Sequence, residues 1–196
     1  PEAAEAMVKL VDLYHKDGRL FGLVRVGQQF AGSHATDPRH KAVMLKLIDG
    51  LEAISRNKDL SAACRQFLAR YEGQPECPDV EIRLANAMNQ LEDRARAADA
   101  CMAVWKRQGP NEIGRRYGAL AVQQYSLANT GETITAAAEL GDEMLEKLPA
   151  GEYAKELGHH SFWEWRRIGQ WAKATAVGTK LLAKNLIGDN EAQRQF

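Results

Sequence analysis

Turn signals recur along this chain at a nearly constant spacing. Five short breaks in the helical pattern fall near residues 18, 57, 93, 131 and 169, so the intervals are 39, 36, 38 and 38 residues. The breaks are Asp17-Gly18, Arg56-Asn57, Glu92-Asp93, Thr130-Gly131 and Ile168-Gly169. A fixed period in this range is typical of stacked helical hairpins, in which no hairpin buries its apolar face alone. The spacing therefore predicts a solenoid of about five repeated units.

The segments between these turns have the periodicity of helices. Apolar residues recur every three and four positions, and no run alternates strictly between apolar and polar residues as a half-buried strand would. Stronger breaks, "GSHATDP", "EGQPECP", "QGPN" and "LPAG", separate the units. Together the breaks predict an all-α chain of ten helices. The expected antiparallel hairpins cover about 1–33, 37–73, 78–109, 111–148 and 150–188.

The series contains no linker, so we expect a single helical-repeat domain over residues 1–196. The chain starts at Pro1 without a Met, and we interpret it as a piece of a longer protein. Two helix entries carry capping signals, because Asp37 precedes Pro38 and Asp79 follows Pro78.

The charge balance argues against some classes of partner. Lys and Arg together number 26, as do Asp and Glu, so no global field attracts nucleic acid or an anionic membrane. No apolar run approaches the roughly 18 residues that a membrane-spanning helix needs. The three cysteines, Cys64, Cys77 and Cys101, lack CxxC spacing and are expected to be buried small hydrophobes. This cysteine use favours the cytoplasm and leaves the bacterial periplasm open.

The segment from Leu84 to Trp105 carries the most specific pattern. Leu84-Ala85 and Met88 occupy the first helix, while Ala97, Cys101 and Val104 occupy the second, and Gly109-Pro110 closes the unit. In spacing this segment resembles a tetratricopeptide repeat, whose pattern is Leu-Gly and Tyr, then Ala, Phe, Ala and a closing Pro. Two positions depart from the pattern: Glu81 stands in place of the usual Trp, and Cys101 in place of Phe. Small residues at Ala85 and Ala97 permit two antiparallel helices to approach closely.

The resemblance implies a right-handed α-α superhelix with a concave groove that receives a protein or peptide segment. Carried over by position, the groove residues expected to contact a partner are Asn86, Asn89, Gln90, Tyr125, His159, Trp163, Arg166 and Arg167. Asn86 stands where peptide-binding members use an Asn to hold the ligand backbone, and an amide can donate and accept at once. Ile48 and Ile82 stand where some members have the Lys that helps to clamp a C-terminal carboxylate, so we do not expect that ligand.

The stretch "KELGHHSFWEWRRIGQW" concentrates aromatic, basic and histidine residues. We expect its aromatic residues mainly in the core of the fifth hairpin. Trp163 is the better candidate for an exposed contact, because one residue rotates a helix by about 100° away from the face of Phe162 and Trp165. Glu156, His160 and Glu164 are spaced by four and share a face, but no remote third ligand accompanies them. We therefore predict helix-stabilising pairs and no metal site.

The sequence offers no catalytic constellation. The serines lack a nucleophile-elbow context, phosphate-binding glycine motifs are absent, and nothing beside Cys77 would activate its thiol. We predict a non-catalytic protein-interaction scaffold without a cofactor. Three alternatives stay open: a regulatory or substrate-recruiting arm of a larger enzyme, an RNA-binding helical repeat, and self-association through the terminal hairpins.

Overall fold

The computed structural model of the chain describes residues 2–187, and this part contains ten α-helices and no strand. The helices are α1 (Glu2–Lys16), α2 (Leu20–Ser33), α3 (His40–Ala53), α4 (Asn57–Arg70), α5 (Cys77–Asn89), α6 (Arg94–Gln108), α7 (Glu112–Ala128), α8 (Gly131–Lys147), α9 (Glu152–Arg167) and α10 (Trp171–Ala183). The predicted all-α fold of ten helices is confirmed over these residues.

The even-numbered helices begin at a regular interval. Their N-cap residues are Arg19, Arg56, Asp93, Thr130 and Gln170, which are separated by 37, 37, 37 and 40 residues. Each of the five turns predicted from the sequence lies between the two helices of a pair. The repeat period that the turn signals indicate is therefore present in the structure, with a longer last interval.

Most of these turns share one closing conformation. The residue directly before the N-cap has a positive φ in four of the five turns, at Gly18, Ser55, Asn129 and Gly169. In three turns the N-cap N–H also donates to a carbonyl five residues earlier, as from Arg19 to Tyr14 at 2.9 Å. This left-handed closure satisfies the last carbonyls of the first helix and reverses the chain sharply. Glycine at two of the four positions adopts it without steric cost.

The chain divides into two compact units, residues 1–91 and 92–196. The boundary falls inside the predicted third hairpin at 78–109, so α5 belongs to the first unit and α6 to the second. Within each unit, consecutive helices pack against one another, and α1 also contacts α3 as α7 contacts α9. The single domain and the superhelix expected from the sequence stay predictions.

The core of the first unit is aliphatic and aromatic, with one buried histidine. Phe30 and Phe67 are fully enclosed, each in its own cluster. His40 is buried beside them, with Nδ1 2.7 Å from the Tyr71 hydroxyl and Nε2 3.4 Å from the Ala31 carbonyl oxygen. Burial lowers the pKa of His40, so the neutral ring accepts from Tyr71 and donates to Ala31.

The core of the second unit depends on close helix approach. Trp105, Met144 and Leu145 are fully buried, and Gly118 and Gly158 face this core. A Cβ at Gly118 would lie 2.5 Å from Met144 Cε, and a Cβ at Gly158 would lie 2.5 Å from Leu181 Cδ2. All three cysteines, Cys64, Cys77 and Cys101, are buried free thiols, which confirms the sequence interpretation.

Candidate interaction surface

The predicted groove residues of the first unit lie on α5. Asn86 and Gln90 are exposed, while Asn89 is half-buried and donates from Nδ2 to the Ala85 carbonyl oxygen at 2.9 Å. Ala85, which was predicted to allow close helix approach, is fully buried. The exposed amides of α5 therefore lie where a partner could contact them, whereas the Asn89 amide group is used within its own helix.

The first unit also has an ionic network around Arg83 that the sequence reasoning missed. The Arg83 guanidinium lies 2.5 Å from Asp49 Oδ1, 3.2 Å from Glu52 Oε2 and 2.9 Å from Asp79 Oδ2. Three carboxylates around one guanidinium leave a net negative charge on this part of α3 and α5. Burial acts to lower the pKa of Arg83, but the hydrogen bond to Asp49 raises it. The pKa of Arg83 is raised overall.

The sequence predicted Tyr125 as a groove residue, but its side chain is buried. It is 5% exposed, and its hydroxyl donates to Asp99 Oδ1 on α6 at 2.6 Å. Burial, followed by the hydrogen bond to Asp99, raises the pKa of Tyr125. Ala121, one turn earlier on α7, is fully buried as well. This face of α7 packs inward, so neither side chain is available to a partner.

An open depression instead lies between α7 and α9, the first helices of two consecutive pairs. Its polar rim and apolar floor are formed by Arg116, Ala119, Leu120, Val122, Gln123, Glu156, Leu157 and His160. The pattern of burial along α7 repeats along α9 at an offset of 40 residues, which pairs Leu120 with His160. We call this depression the α7/α9 groove.

The predicted His159 is half-buried and lies beside His160, which lines the groove. On α7 and α9, the residues that line the groove are therefore displaced by one position from the residues that the repeat pattern predicted. A shift of one residue rotates a helical side chain by about 100°, which is enough to move it from groove to core. The 40-residue offset between α7 and α9 is a feature of the burial pattern, so the sequence alone did not identify Leu120 and Gln123.

His160 connects the two walls of the groove. Its Nε2 lies 2.6 Å from Ser126 Oγ on α7 and 3.5 Å from Glu164 Oε1 one turn further along α9. Burial lowers the pKa of His160, an effect that Glu164 opposes. Nε2 and the Ser126 hydroxyl form a hydrogen bond in which the imidazole tautomer determines the donor.

Ser126, His160 and Glu164 do not form a hydrolytic triad. In a triad the acid holds one imidazole nitrogen while the serine contacts the other, whereas here both oxygens approach Nε2. Glu164 is buried and forms an ion pair with Arg167 at 3.2 Å. Within residues 2–187, no group of three or more His, Cys, Asp or Glu side chains is arranged to hold a metal ion.

A second surface feature lies where α9 turns into α10. Trp163 is 51% exposed and Trp171 is 60% exposed, so the expected core position of Trp171 is wrong. Trp171 is the first residue of α10, and its side chain faces solvent. Phe162 and Trp165 are each 2% exposed, which confirms their core position.

Arg166 stacks against both exposed indoles. Its guanidinium carbon lies 4.8 Å from the Trp163 ring centroid and 5.1 Å from the Trp171 ring centroid. A shallow depression at this point is lined by Trp163, Glu164, Arg166, Arg167 and Trp171. We call Trp163, Arg166 and Trp171 the aromatic elbow. The predicted Arg167 is exposed at its edge and contacts Glu164 and Asn129.

None of the ten helices in the described part of the chain is long and apolar enough to cross a membrane.

No protein-family model matches this chain, and neither does any curated protein sequence. Solved structures do resemble it. One is a tetratricopeptide repeat protein from Parabacteroides merdae, 11% identical, with a TM-score of 0.49 over 94% of this chain and 80% of that one. Another is a kinesin light chain of nearly identical TPR-like repeats from Podosopora anserina, 14% identical, with a TM-score of 0.48 over 94% and 96%.

The MamA protein is 15% identical, with a TM-score of 0.47 over 93% of this chain and 92% of that one. The solved structures that resemble the chain thus include tetratricopeptide and TPR-like repeat proteins, the family that its sequence resembles.

Proposed function

We propose that this chain is a non-catalytic interaction scaffold whose second unit binds a segment of a partner protein in the α7/α9 groove. The observation that supports this function is the make-up of the groove. Ala119 and Leu120 offer apolar contact, while Arg116, Gln123 and Glu156 offer hydrogen bonds and both signs of charge. A polypeptide segment needs this combination, because its side chains bury apolar area while its peptide groups need donors and acceptors.

The geometry around His160 supports a binding role over a catalytic one. The imidazole and the Ser126 hydroxyl satisfy each other, and the adjacent Glu164 carboxylate is engaged by Arg167. The contact between Ser126 and His160 joins α7 to α9, so the groove is preformed. A preformed groove binds a segment with a smaller entropic cost than one that must be ordered on binding.

The exposed amides of α5 extend the proposal to the first unit. Asn86 and Gln90 present groups that can donate and accept at once, as a peptide backbone requires. We propose Asn86 and Gln90 as contacts that the first unit offers by itself to a polypeptide backbone. The buried Tyr125 is not among the proposed contacts.

Site-specific photo-crosslinking tests the groove directly. Benzoylphenylalanine is placed at Gln123 in the groove and, as a matched control, at Glu139, an exposed residue of α8 outside it. Irradiation in an extract of the source cells is expected to give discrete protein adducts from position 123 and none from position 139. The proposal is contradicted if position 123 gives no more adducts than position 139, or if its adducts contain RNA instead of protein.

A further inference from the structure

The first helix carries an apolar stripe that its own unit leaves exposed. Ala4 and Val11 of α1 are buried in the core of the first unit, and this side of the helix needs no further partner. Leu10 is 39% exposed and Leu13 is 49% exposed, although both are large apolar residues. Together with two exposed alanines they form what we call the α1 stripe: Ala3, Ala6, Leu10 and Leu13.

The members of the α1 stripe are spaced as in packed helices. They follow one another at intervals of three, four and three residues, which is the a/d spacing of a helix that lies lengthwise against another helix. The next position of this series is Asp17, which falls outside α1 and ends the stripe. Helices α2 and α3 contact α1 through its buried side. The spacing therefore fits one additional helix along the exposed side.

The α1 stripe is complementary to itself when two copies run antiparallel. In that arrangement Ala3 lies opposite Leu13 of the second copy, and Ala6 lies opposite Leu10. Every layer then combines a small side chain with a large one, which fills the space between the helices evenly. In a parallel pair each residue would meet its own copy, so two layers would hold only alanine and two only leucine. The order of small and large residues therefore favours the antiparallel pair.

The charges along one edge of the stripe are complementary in the same arrangement. Glu2, Lys9 and Lys16 follow one another at intervals of seven residues along this edge. Antiparallel pairing places Glu2 of each copy beside Lys16 of the other, and Lys9 beside its own copy. Lys9 Nζ lies 2.6 Å from Glu5 Oε1 of the same helix, which offsets the repulsion between the two lysines. Among the residues that the structure describes, neither Glu2 nor Lys16 forms an ion pair, so both can pair across the contact.

The two remaining charged side chains of α1 face α3 and lie away from the stripe. Lys46 Nζ is 2.5 Å from Asp12 Oδ1, and His15 Nε2 is 3.7 Å from Asp49 Oδ2. These contacts use charges within the first unit. The charge beside the stripe is therefore set by the edge that carries Glu2, Lys9 and Lys16.

We propose that a second copy of this chain packs antiparallel along the α1 stripe and forms a two-fold symmetric dimer. Such a pair uses the same surface of both copies, so it closes and does not extend into a filament. Two helices of this length bury less than the roughly 1,600 Å² of a standard interface, so we expect a weak dimer with a Kd of about 10–100 μM. The stripe belongs to the first unit and the α7/α9 groove to the second, so dimerisation and the proposed groove function can fail separately.

Sedimentation equilibrium of the full chain, from well below to well above this Kd, tests the proposal. We expect a reversible monomer–dimer equilibrium. Leu10→Asp should raise the dimer Kd at least about tenfold, because the new carboxylate would lose water opposite Ala6 of the second copy. Leu127→Asp is the matched control, since Leu127 is an exposed leucine of α7 outside the first unit, and its Kd should be unchanged. Both substitutions are at exposed positions, and circular dichroism should show that both variants keep their helices.

Charge reversal tests the direction of the pairing. Glu2→Lys places two lysines beside each other at both ends of the pair and should weaken the dimer. Adding Lys16→Glu to the same chain restores opposite charges at both ends, so the double variant should regain affinity. Fraying of α1 cannot produce this rescue, because each change opposes the helix dipole and the two together oppose it more. In a parallel pair Glu2 and Lys16 lie at opposite ends, and the second change would rescue nothing.

Cysteine crosslinking measures the alignment of the two helices independently. A mixture of Ala6→Cys chains and Leu10→Cys chains should form disulfide-linked dimers that contain one chain of each kind, while each variant alone should form few. The native Cys64, Cys77 and Cys101 are buried and do not compete for the crosslink.

Several results would overturn the proposal. A chain that stays monomeric at every concentration would assign the α1 stripe to a segment of a different protein. A dimer that Leu10→Asp leaves intact, or that Leu127→Asp dissociates, would place the contact elsewhere on the molecule. Crosslinks mainly between identical variants, or no rescue by Lys16→Glu, would exclude the antiparallel pairing.

Discussion

The hydroxyl of Ser126 lies 2.6 Å from Nε2 of His160, and this contact links α7 to α9 across the groove. The two residues are 34 positions apart, and neither is part of a sequence motif that predicts their contact. The link holds together two helices whose facing side chains would receive a partner. It is therefore a structural support for the proposed binding surface, and its loss should affect stability before it affects any chemistry.

Ser126→Ala should lower the free energy of unfolding by about 1 kcal/mol, the typical net contribution of a hydrogen bond. Because His160 is half-buried, water can contact Nε2 in the variant, so the loss of stability should be moderate. Urea denaturation followed by circular dichroism measures the change. Ser33→Ala is the control, because the Ser33 hydroxyl bonds only to Gln29 in its own exposed helix end. Equal losses in both variants, or an esterase activity that Ser126→Ala abolishes, would contradict this interpretation.

The buried His40 should make stability depend on pH. Burial lowers its pKa in the native state below the value of about 6.5 expected for the unfolded chain, so the fold favours the neutral imidazole. Below about pH 6.5 the unfolded chain binds a proton that native His40 resists, and stability falls as pH decreases, by at most about 1.4 kcal/mol per pH unit.

The free energy of unfolding at several pH values between about 7 and 5.5 measures this slope, in a range above the titration of ordinary carboxylates. His40→Gln should reduce the slope, even though the substitution itself costs stability. A slope that survives in His40→Gln would assign the dependence to other groups, and His160, whose pKa burial also lowers, is the next candidate.

Gly114 should tolerate no side chain. A Cβ at this position would overlap the backbone carbonyl oxygen of Gly109, and backbone cannot yield as the end of a flexible side chain can. Gly114→Ala should therefore lower the free energy of unfolding by about 1–3 kcal/mol, as overpacking does in cores. Gly131→Ala is the control, because a Cβ there meets nothing within 4 Å. Thermal unfolding that is equally affected in both variants would refute the steric explanation.

The fold was predictable because its signals are local. Turn residues such as Gly18 and Gly169 determine where helices end, and the chain reversal at each turn depends on only a few neighbouring residues. The repeated spacing of these turns then identifies the pairing without knowledge of any long-range contact. The division between residues 91 and 92 has no such local signal, since it depends on which helices pack together.

The groove residues were predictable only in part, because exposure depends on helix rotation. If the predicted groove positions are wrong by one residue, Ala121, which is fully buried, is assigned to the groove in place of Leu120, which lines it. Trp171 was expected in the core because aromatic residues favour core positions. It is the first residue of α10, and this position places its side chain in solvent. Exposure of Trp163, in contrast, followed correctly from its angular separation from Phe162 and Trp165.

Tryptophan fluorescence should report the exposure of the aromatic elbow. Of the four tryptophans, Trp105 and Trp165 are buried while Trp163 and Trp171 are exposed, so soluble quenchers reach mainly the elbow. Acrylamide, an uncharged quencher, should therefore reduce emission from Trp163 and Trp171 far more than emission from the buried pair. Replacing both exposed residues, in Trp163→Phe with Trp171→Phe, should shift the remaining emission to shorter wavelength and remove most of the quenching. Quenching that persists unchanged in this double variant would contradict the exposure of the two indoles.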